Sequence, residues 1–207
     1  LSDQPLMQNV LADLIIENEA ALAYTMRVAR AMDNQDNEHE RLLARLATPV
    51  GKYWICKRTP NHAYEAMECI GGSGGMEDCI MPRLFRESPV NAIWEGSGNV
   101  QCLDTLRALQ KEPETLDAFF KEAAEAKGTD SRFDQYLAQL QHDFADISDF
   151  QYRARNLVDR MALTMQGSLL LRFGDKHVAD AFCASRLQSG GGMNYGNLPS
   201  GTNPAAI

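Results

Sequence analysis

Two short stretches hold residue types that can do chemistry. The first is Gly71-Gly72-Ser73-Gly74-Gly75, where four glycines in five residues leave the main chain bare. A backbone without Cβ atoms admits a ligand closely, and amides in a tight turn can face phosphate oxygens. The same run also reads as a plain helix-terminating loop. No Lys-Ser/Thr pair follows it and no strand pattern precedes it, so neither a P-loop nor a dinucleotide fingerprint is present. The second stretch is Ile93-Trp94-Glu95-Gly96. A carboxylate between an indole and a glycine can sit in an apolar pocket, where desolvation raises its proton affinity toward that of a general base. It can equally be a surface or capping glutamate.

These stretches need elements to position them. Met7, Val10, Leu11, Leu14, Ile15, Leu22 and Val28 follow helical spacing, with Ser2 or Asp3 as the expected cap and Pro5 in the first turn. The polar run at 33–37 reads as a turn. A second helix should bury Leu42, Leu43, Leu46, Val50 and Trp54, bent or split at Pro49, and a third should run from Pro60 through Ala63, Met67 and Ile70 to the glycines. A short segment near 84–86 and a helix from about Val100 to Leu109 follow. Residues 111–115 read as a linker, and further helices are expected near 115–126, 131–147, 149–173 and 175–187. The end, from Gly190 to Ile207, reads as an irregular tail. No strand pattern occurs, so the fold class expected is all-α, a four-helix bundle with an appended helical domain. The division expected is 1–112 for the bundle and 113–207 for the extra domain.

Composition excludes several classes. The chain has 207 residues, 44% hydrophobic and 23% charged, with 20 Lys+Arg against 28 Asp+Glu, a formal charge of -8. Both halves are acidic, so neither is a cationic nucleic-acid domain. No apolar run approaches the roughly 20 residues that span a bilayer, so no membrane partner is expected. Five cysteines without CxxC spacing point to reduced thiols and a cytoplasmic location, and four scattered histidines without HxxxH spacing to no metal site. The first residue is Leu1 rather than Met, which suggests a piece of something longer.

Taken together and at their spacing, three segments carry a resemblance. They are Ala66-Met67-Glu68-Cys69-Ile70-Gly71-Gly72-Ser73-Gly74, Pro82-Arg83-Leu84-Phe85-Arg86-Glu87 and Ile93-Trp94-Glu95-Gly96-Ser97-Gly98-Asn99-Val100-Gln101. Residues 1 to about 110 resemble the C-terminal helical domain of flavin-dependent acyl-CoA dehydrogenases, with Glu68, Glu87 and Ser97 where that family usually has Gln, Asp and Thr. The wording around Ser88–Asn99 and the added helical region resemble the AidB-like branch, associated with the response to DNA alkylation.

The resemblance implies α,β-dehydrogenation of an acyl-CoA thioester. Glu95 would be the base that takes the α-proton as hydride leaves the β-carbon for FAD. It implies FAD contacts at Glu68, Gly71, Gly72, Ser97 and Asn99, and substrate contacts at Gly96 and Arg107. Glu68 is the odd member, since its charge repels phosphate. The resemblance further implies a homo-oligomer, a tetramer, with the flavin between subunits. It also implies that this piece alone neither holds FAD tightly nor turns over acyl-CoA, because the family builds that site mainly from other domains. Two rivals are a DNA-associated alkylation-response protein with vestigial dehydrogenase activity and a structural oligomerisation module. For the first, Arg153, Arg155, Asn156, Arg160 and Arg172 could line a grip for double-stranded DNA, although Asp143, Asp146, Asp149 and Asp159 crowd the same stretch and favour ordinary surface ion pairs. Met161, Met165, Leu169 and their neighbours read as core.

Overall fold

A computed structural model describes residues 1–145, 150–188, 203 and 206–207. Among them every regular element is helical. Helix α1 (Pro5–Asp33) begins one residue after Gln4, whose side chain makes no capping bond. Pro5 is the reason the expected Ser2 or Asp3 cap is not used. Its fixed φ and missing N–H suit the first helical position, which makes the residue before it the cap. Asn37 caps α2 (Glu38–Ile70), accepting from the Glu40 N–H at 3.2 Å.

Helix α2 runs unbroken through Pro49 and Pro60, so the expected break and separate third helix merge into one element. Each proline is preceded by a threonine whose hydroxyl donates to the carbonyl four residues back, Thr48 to Ala44 and Thr59 to Ile55, both at 2.7 Å. Those carbonyls are not the ones each proline leaves unpaired, so what holds the helix through the lost amides is packing: Pro49 is buried, and α2 lies against α1, α4, α5 and α7. Close packing adds to this. The Tyr24 hydroxyl donates to the Ala47 carbonyl at 2.9 Å, and a Cβ at Gly51 would lie 2.4 Å from the Tyr24 ring. Glycine at 51 is therefore what lets α1 and α2 approach.

Beyond α2 come a 3-10 turn (Gly71–Gly75), α3 (Met81–Glu87), a second 3-10 turn (Ser88–Ala92) and α4 (Gly98–Lys111). The expected linker at 111–115 is instead a tight joint. Helix α5 (Glu114–Ala124) starts three residues after α4 ends, Thr115 is buried, and its hydroxyl donates to the Glu112 carbonyl at 2.7 Å. Helices α6 (Ser131–Ala145), α7 (Phe150–Phe173) and α8 (Lys176–Phe182) follow, α8 continuing as a π-helical turn (Cys183–Gln188). Residues 146–149 and most of the expected tail, Met193 included, lie outside the described residues.

Two apolar cores result, and both draw side chains from before and after residue 112. One joins Tyr24, Leu46 and Val50 to Leu106, Phe119, Val158 and Met161; the other joins Ile16 and Ala20 to Phe133, Leu170 and Phe182. The expected buried face of α1 is incomplete: Ile15 and Leu22 remain exposed, and exposed Met26 falls on the same side one turn further along. No helix among the described residues is long and apolar enough to cross a membrane.

A buried polar hub ties the elements together. Arg27 of α1 donates to Glu122 of α5 at 2.9 and 2.8 Å and to Glu40 of α2 at 2.6 and 3.1 Å. Arg172 of α7 adds a 2.7 Å bond to Glu122, and His39 approaches it at 3.4 Å. Burial opposes ionisation of Glu122, but the hydrogen bonds from Arg27 and Arg172 outweigh it and hold the carboxyl down at about 2.

Removing Glu122 leaves Arg172 without its carboxylate and Arg27 with Glu40 alone, so Glu122→Ala should lower stability by about 1–3 kcal/mol in urea unfolding. Because folding lowers this carboxyl, its contribution is present above its unfolded value and is lost as pH falls from about 4.5 toward about 2. Wild type should therefore lose stability across that window more steeply than Glu122→Ala does.

Candidate functional site

The segment after Ser88–Ala92 is a turn in which the carbonyls of Trp94, Glu95 and Gly96 are all held. The Ile93 and Trp94 amides both donate to the Val90 carbonyl, at 2.9 and 3.0 Å. Lys52 of α2 sends its ammonium to the carbonyls of Trp94 and Gly96, at 2.7 and 2.6 Å. Gln101 of α4 sends its amide to the carbonyls of Glu95 and Gly96, at 2.9 and 3.1 Å. Between these two clamps Glu95 adopts φ of 54°, the single positive-φ non-glycine residue among the described residues, and Gly96 follows at 101°. A left-handed conformation costs a non-glycine residue roughly 1–2 kcal/mol and persists where its surroundings over-determine it.

Glu95 does not sit in an apolar pocket made by its own neighbours. Ile93 is 64% exposed, Trp94 is 59% exposed, and Glu95 is exposed as well. Lys52 and Gln101 occupy the carbonyl side of the turn, which leaves the three side chains on the surface. Ile70, Met76, Ile80 and Leu84, around and after the glycine run in the chain, are exposed as well.

Helix α4 starts directly after the turn. Ser97 is its N-cap residue, yet the hydroxyl makes no capping bond. Gly98 lies against Tyr53 and Lys57: a Cβ there would be 3.4 Å from the Tyr53 ring and 3.6 Å from the Lys57 Nζ. Asn99 is held by α7, its Oδ1 accepting from the Arg155 Nε at 2.9 Å. Behind this cluster Asp159 is raised to about 6, because burial outweighs a hydrogen bond from Tyr53 and the charges of Arg155, Lys57 and Arg58. Glu95, Gly96, Ser97 and Asn99 thus meet at one helix start, with Lys57 and Arg155 supplying positive charge. Arg107 does not join them. It lies about 15 Å further along α4, given 1.5 Å rise per residue, and pairs with Asp104 at 3.6 Å.

The glycine run forms the 3-10 turn Gly71–Gly75, and α3 packs against both it and the turn that leads to Glu95. Gly71 has φ of 73° and donates its amide to the Glu68 carbonyl as the C-cap of α2. What the run offers is room: Gly71, Gly72 and Gly75 have nothing within 4 Å of a Cβ position. Gly74 is the structural member, since a Cβ there would stand 2.3 Å from the Met67 carbonyl oxygen. Glu68 is exposed at the end of α2, and its charge adds to the partial burial that raises Glu65.

The arginine stripe of α7 is spent largely inside the molecule. Arg160 pairs with Asp143 of α6 and covers the Tyr136 ring at 5.1 Å, Arg172 joins the Glu122 hub, and Arg153 lies over Phe150. For Arg160 and Arg172 the expected local surface pairs are replaced by pairs between helices. Asp146 and Asp149 lie outside the described residues. Sequence reasoning missed Lys52 altogether, since nothing in the residues around it marks a contact more than 40 positions away. It quoted Gln101 only as part of a motif, and placed Arg155 in a DNA grip.

Gly96→Ala tests the turn. The new methyl would stand 2.6 Å from the Gln101 Nε2 at a φ that side chains rarely adopt, so a loss of about 1–3 kcal/mol is expected in thermal or urea unfolding.

Comparison with known proteins identifies the family and the fold. The family model described as acyl-CoA dehydrogenase, C-terminal domain, matches residues 1–110. The AidB protein of Escherichia coli (strain K12) is 39% identical over 193 residues, covering 93% of this chain and 35% of that protein. Acyl-CoA dehydrogenase family member 11 of Caenorhabditis elegans is 30% identical over 193 residues, 91% of this chain and 31% of that protein. The crystal structure of Caenorhabditis elegans ACDH-11 in complex with C11-CoA superimposes with a TM-score of 0.80 at 28% identity, over 88% of this chain and 36% of that one. The chain thus spans about a third of the length of these relatives.

Proposed function

We propose, from a chain that belongs to the acyl-CoA dehydrogenase family by its C-terminal helical domain, that it is the C-terminal portion of a flavin-dependent oxidoreductase that introduces an α,β double bond into an acyl-CoA thioester. The observation that carries this reading is the Glu95 turn: an exposed carboxylate on a strained residue, clamped from α2 and α4, with α3 packed between its approach and the open glycines. Strain held in place by two elements is the mark of a group whose position matters. The solved relative binds C11-CoA, which supports an acyl-CoA as the ligand class here.

The residues present fit FAD by the chemistry they offer. Gly71 and Gly72 leave the surface open for close approach, and the α4 start, with Ser97 uncapped and Lys57 and Arg155 nearby, suits a pyrophosphate. FAD, when bound, supplies the acceptor for the hydride that leaves the β-carbon. Glu95 takes the α-proton on its carboxylate, and Gly96 lets the thioester come close to the turn. Glu68 would meet an uncharged part of the cofactor, because its carboxylate repels phosphate. Arg107, remote from the turn, would reach only a distant part of the substrate.

Glu95 lacks walls of its own, so the cleft is completed by another surface. The exposed side chains from Ile70 to Trp94 are where a second subunit or the rest of the polypeptide would close over it. A homo-oligomer, by family a tetramer, supplies that surface, and the 207-residue chain alone should retain no flavin through gel filtration. A DNA-binding reading draws less support, because Arg155, Arg160 and Arg172 already hold partners within the chain.

In a full-length flavoprotein carrying this chain, Glu95→Gln should keep its flavin absorbance but reduce that flavin about 10²–10⁴-fold more slowly on adding C11-CoA. Undiminished reduction would remove Glu95 from the role of base.

A further inference from the structure

The bond from α2 to the turn has no assigned purpose, and it differs in kind from the one made by Gln101. Gln101 lies five and six residues beyond the carbonyls it binds, so it shapes the turn against its own helix. Lys52 lies on a different element, and its single ammonium spans the two carbonyls on either side of Glu95. Charge-assisted bonds of 2.7 and 2.6 Å are the strong kind, and three donors on one nitrogen allow both at once. The lysine is itself well anchored. It follows Gly51, where the Tyr24 ring locks α1 against α2, and α2 is held in turn by the hub through Glu40.

We propose that Lys52 is a positioning residue for Glu95, bridging the carbonyls of Trp94 and Gly96 so that the carboxylate is presented from a fixed, left-handed backbone. This rests on the reading of Glu95 as the base, although the bridge itself can be tested without it. Without the ammonium, the turn keeps its tie to α4 but loses its register on α2, and Glu95 can relax toward ordinary φ. Catalysis is sensitive to such changes, since about 1 Å of misplacement can cost about 10²-fold.

Two measurements separate the bridge from the chemistry. On the 207-residue chain, cleavage after Glu95 by a glutamate-specific protease, read site by site by mass spectrometry, should become faster in Lys52→Met on the order of tenfold, because cleavage follows the population of opened turn. Cleavage after exposed Glu87 and Glu125 should not change. Lys52→Arg, which keeps several donors on a cation, should restore protection, and Lys52→Leu, which also lacks a donor, gives the same reading as Lys52→Met if the latter fails to fold. In a full-length flavoprotein carrying this chain, Lys52→Met should slow flavin reduction by C11-CoA about 10²-fold with the acyl-CoA Kd unchanged, and Lys52→Arg should recover most of the rate. Unchanged cleavage at Glu95 in a folded Lys52→Met chain overturns the bridge. Altered cleavage with an unaltered reduction rate overturns the positioning role, whereas a wild type that fails to reduce flavin at all counts against the dehydrogenase reading and leaves the cleavage result standing.

Discussion

A single carboxylate, Glu122, sets the register on which the rest of the molecule depends. It takes hydrogen bonds from Arg27 of α1 and Arg172 of α7, and Arg27 passes the connection to Glu40 of α2. A buried ion cluster is a poor source of net stability, because desolvation cancels most of the attraction. Apolar burial supplies the stability: Phe119, Leu140, Val158 and Met161 have no exposed surface beyond a trace. What the hub supplies is uniqueness. Helices could slide on an apolar core by a turn at small cost, but not with two guanidinium groups required to meet one buried carboxylate.

That register reaches the site through α2 and α7. Helix α4 packs against both, so the turn at its start inherits their positions. Lys52 reaches the turn from one side and Arg155 reaches Asn99 from the other. The helices beyond residue 112 therefore act as a brace for the residues nearest Glu95. Their arginines, which as a stripe suggest a polyanion grip, are used as struts between helices.

Much of the fold can be read from the sequence because helical spacing survives in single segments. The helices near 115–126, 131–147 and 175–187 lie close to where the periodicity puts them. The failures are instructive. Pro49 and Pro60 look like breaks, yet α2 runs on through both because it is packed on several sides, which is tertiary information. Ile15 and Leu22 look buried by spacing but are exposed, since a periodic stripe does not say whether a partner lies within the same chain. The site divides in the same way. Spacing marks Glu95 and the glycines, because local turns need particular residues, and Gly96 at φ of 101° is such a need. It cannot mark Lys52, whose contact is set by how two helices pack. Nor does an indole in the sequence guarantee an apolar pocket: Trp94 lies on the surface.

The central claim is that Glu95, held on its strained turn, removes a proton next to a thioester once a second surface closes over it. The most direct measurement is hydrogen exchange at the α-carbon of C11-CoA in deuterated buffer, followed by NMR with a full-length flavoprotein carrying this chain. The account predicts deuterium incorporation at the α-carbon that needs the assembled protein and is not seen with the 207-residue chain alone. Incorporation that continues when Glu95 is replaced by glutamine, or none with the assembled wild type, would contradict it.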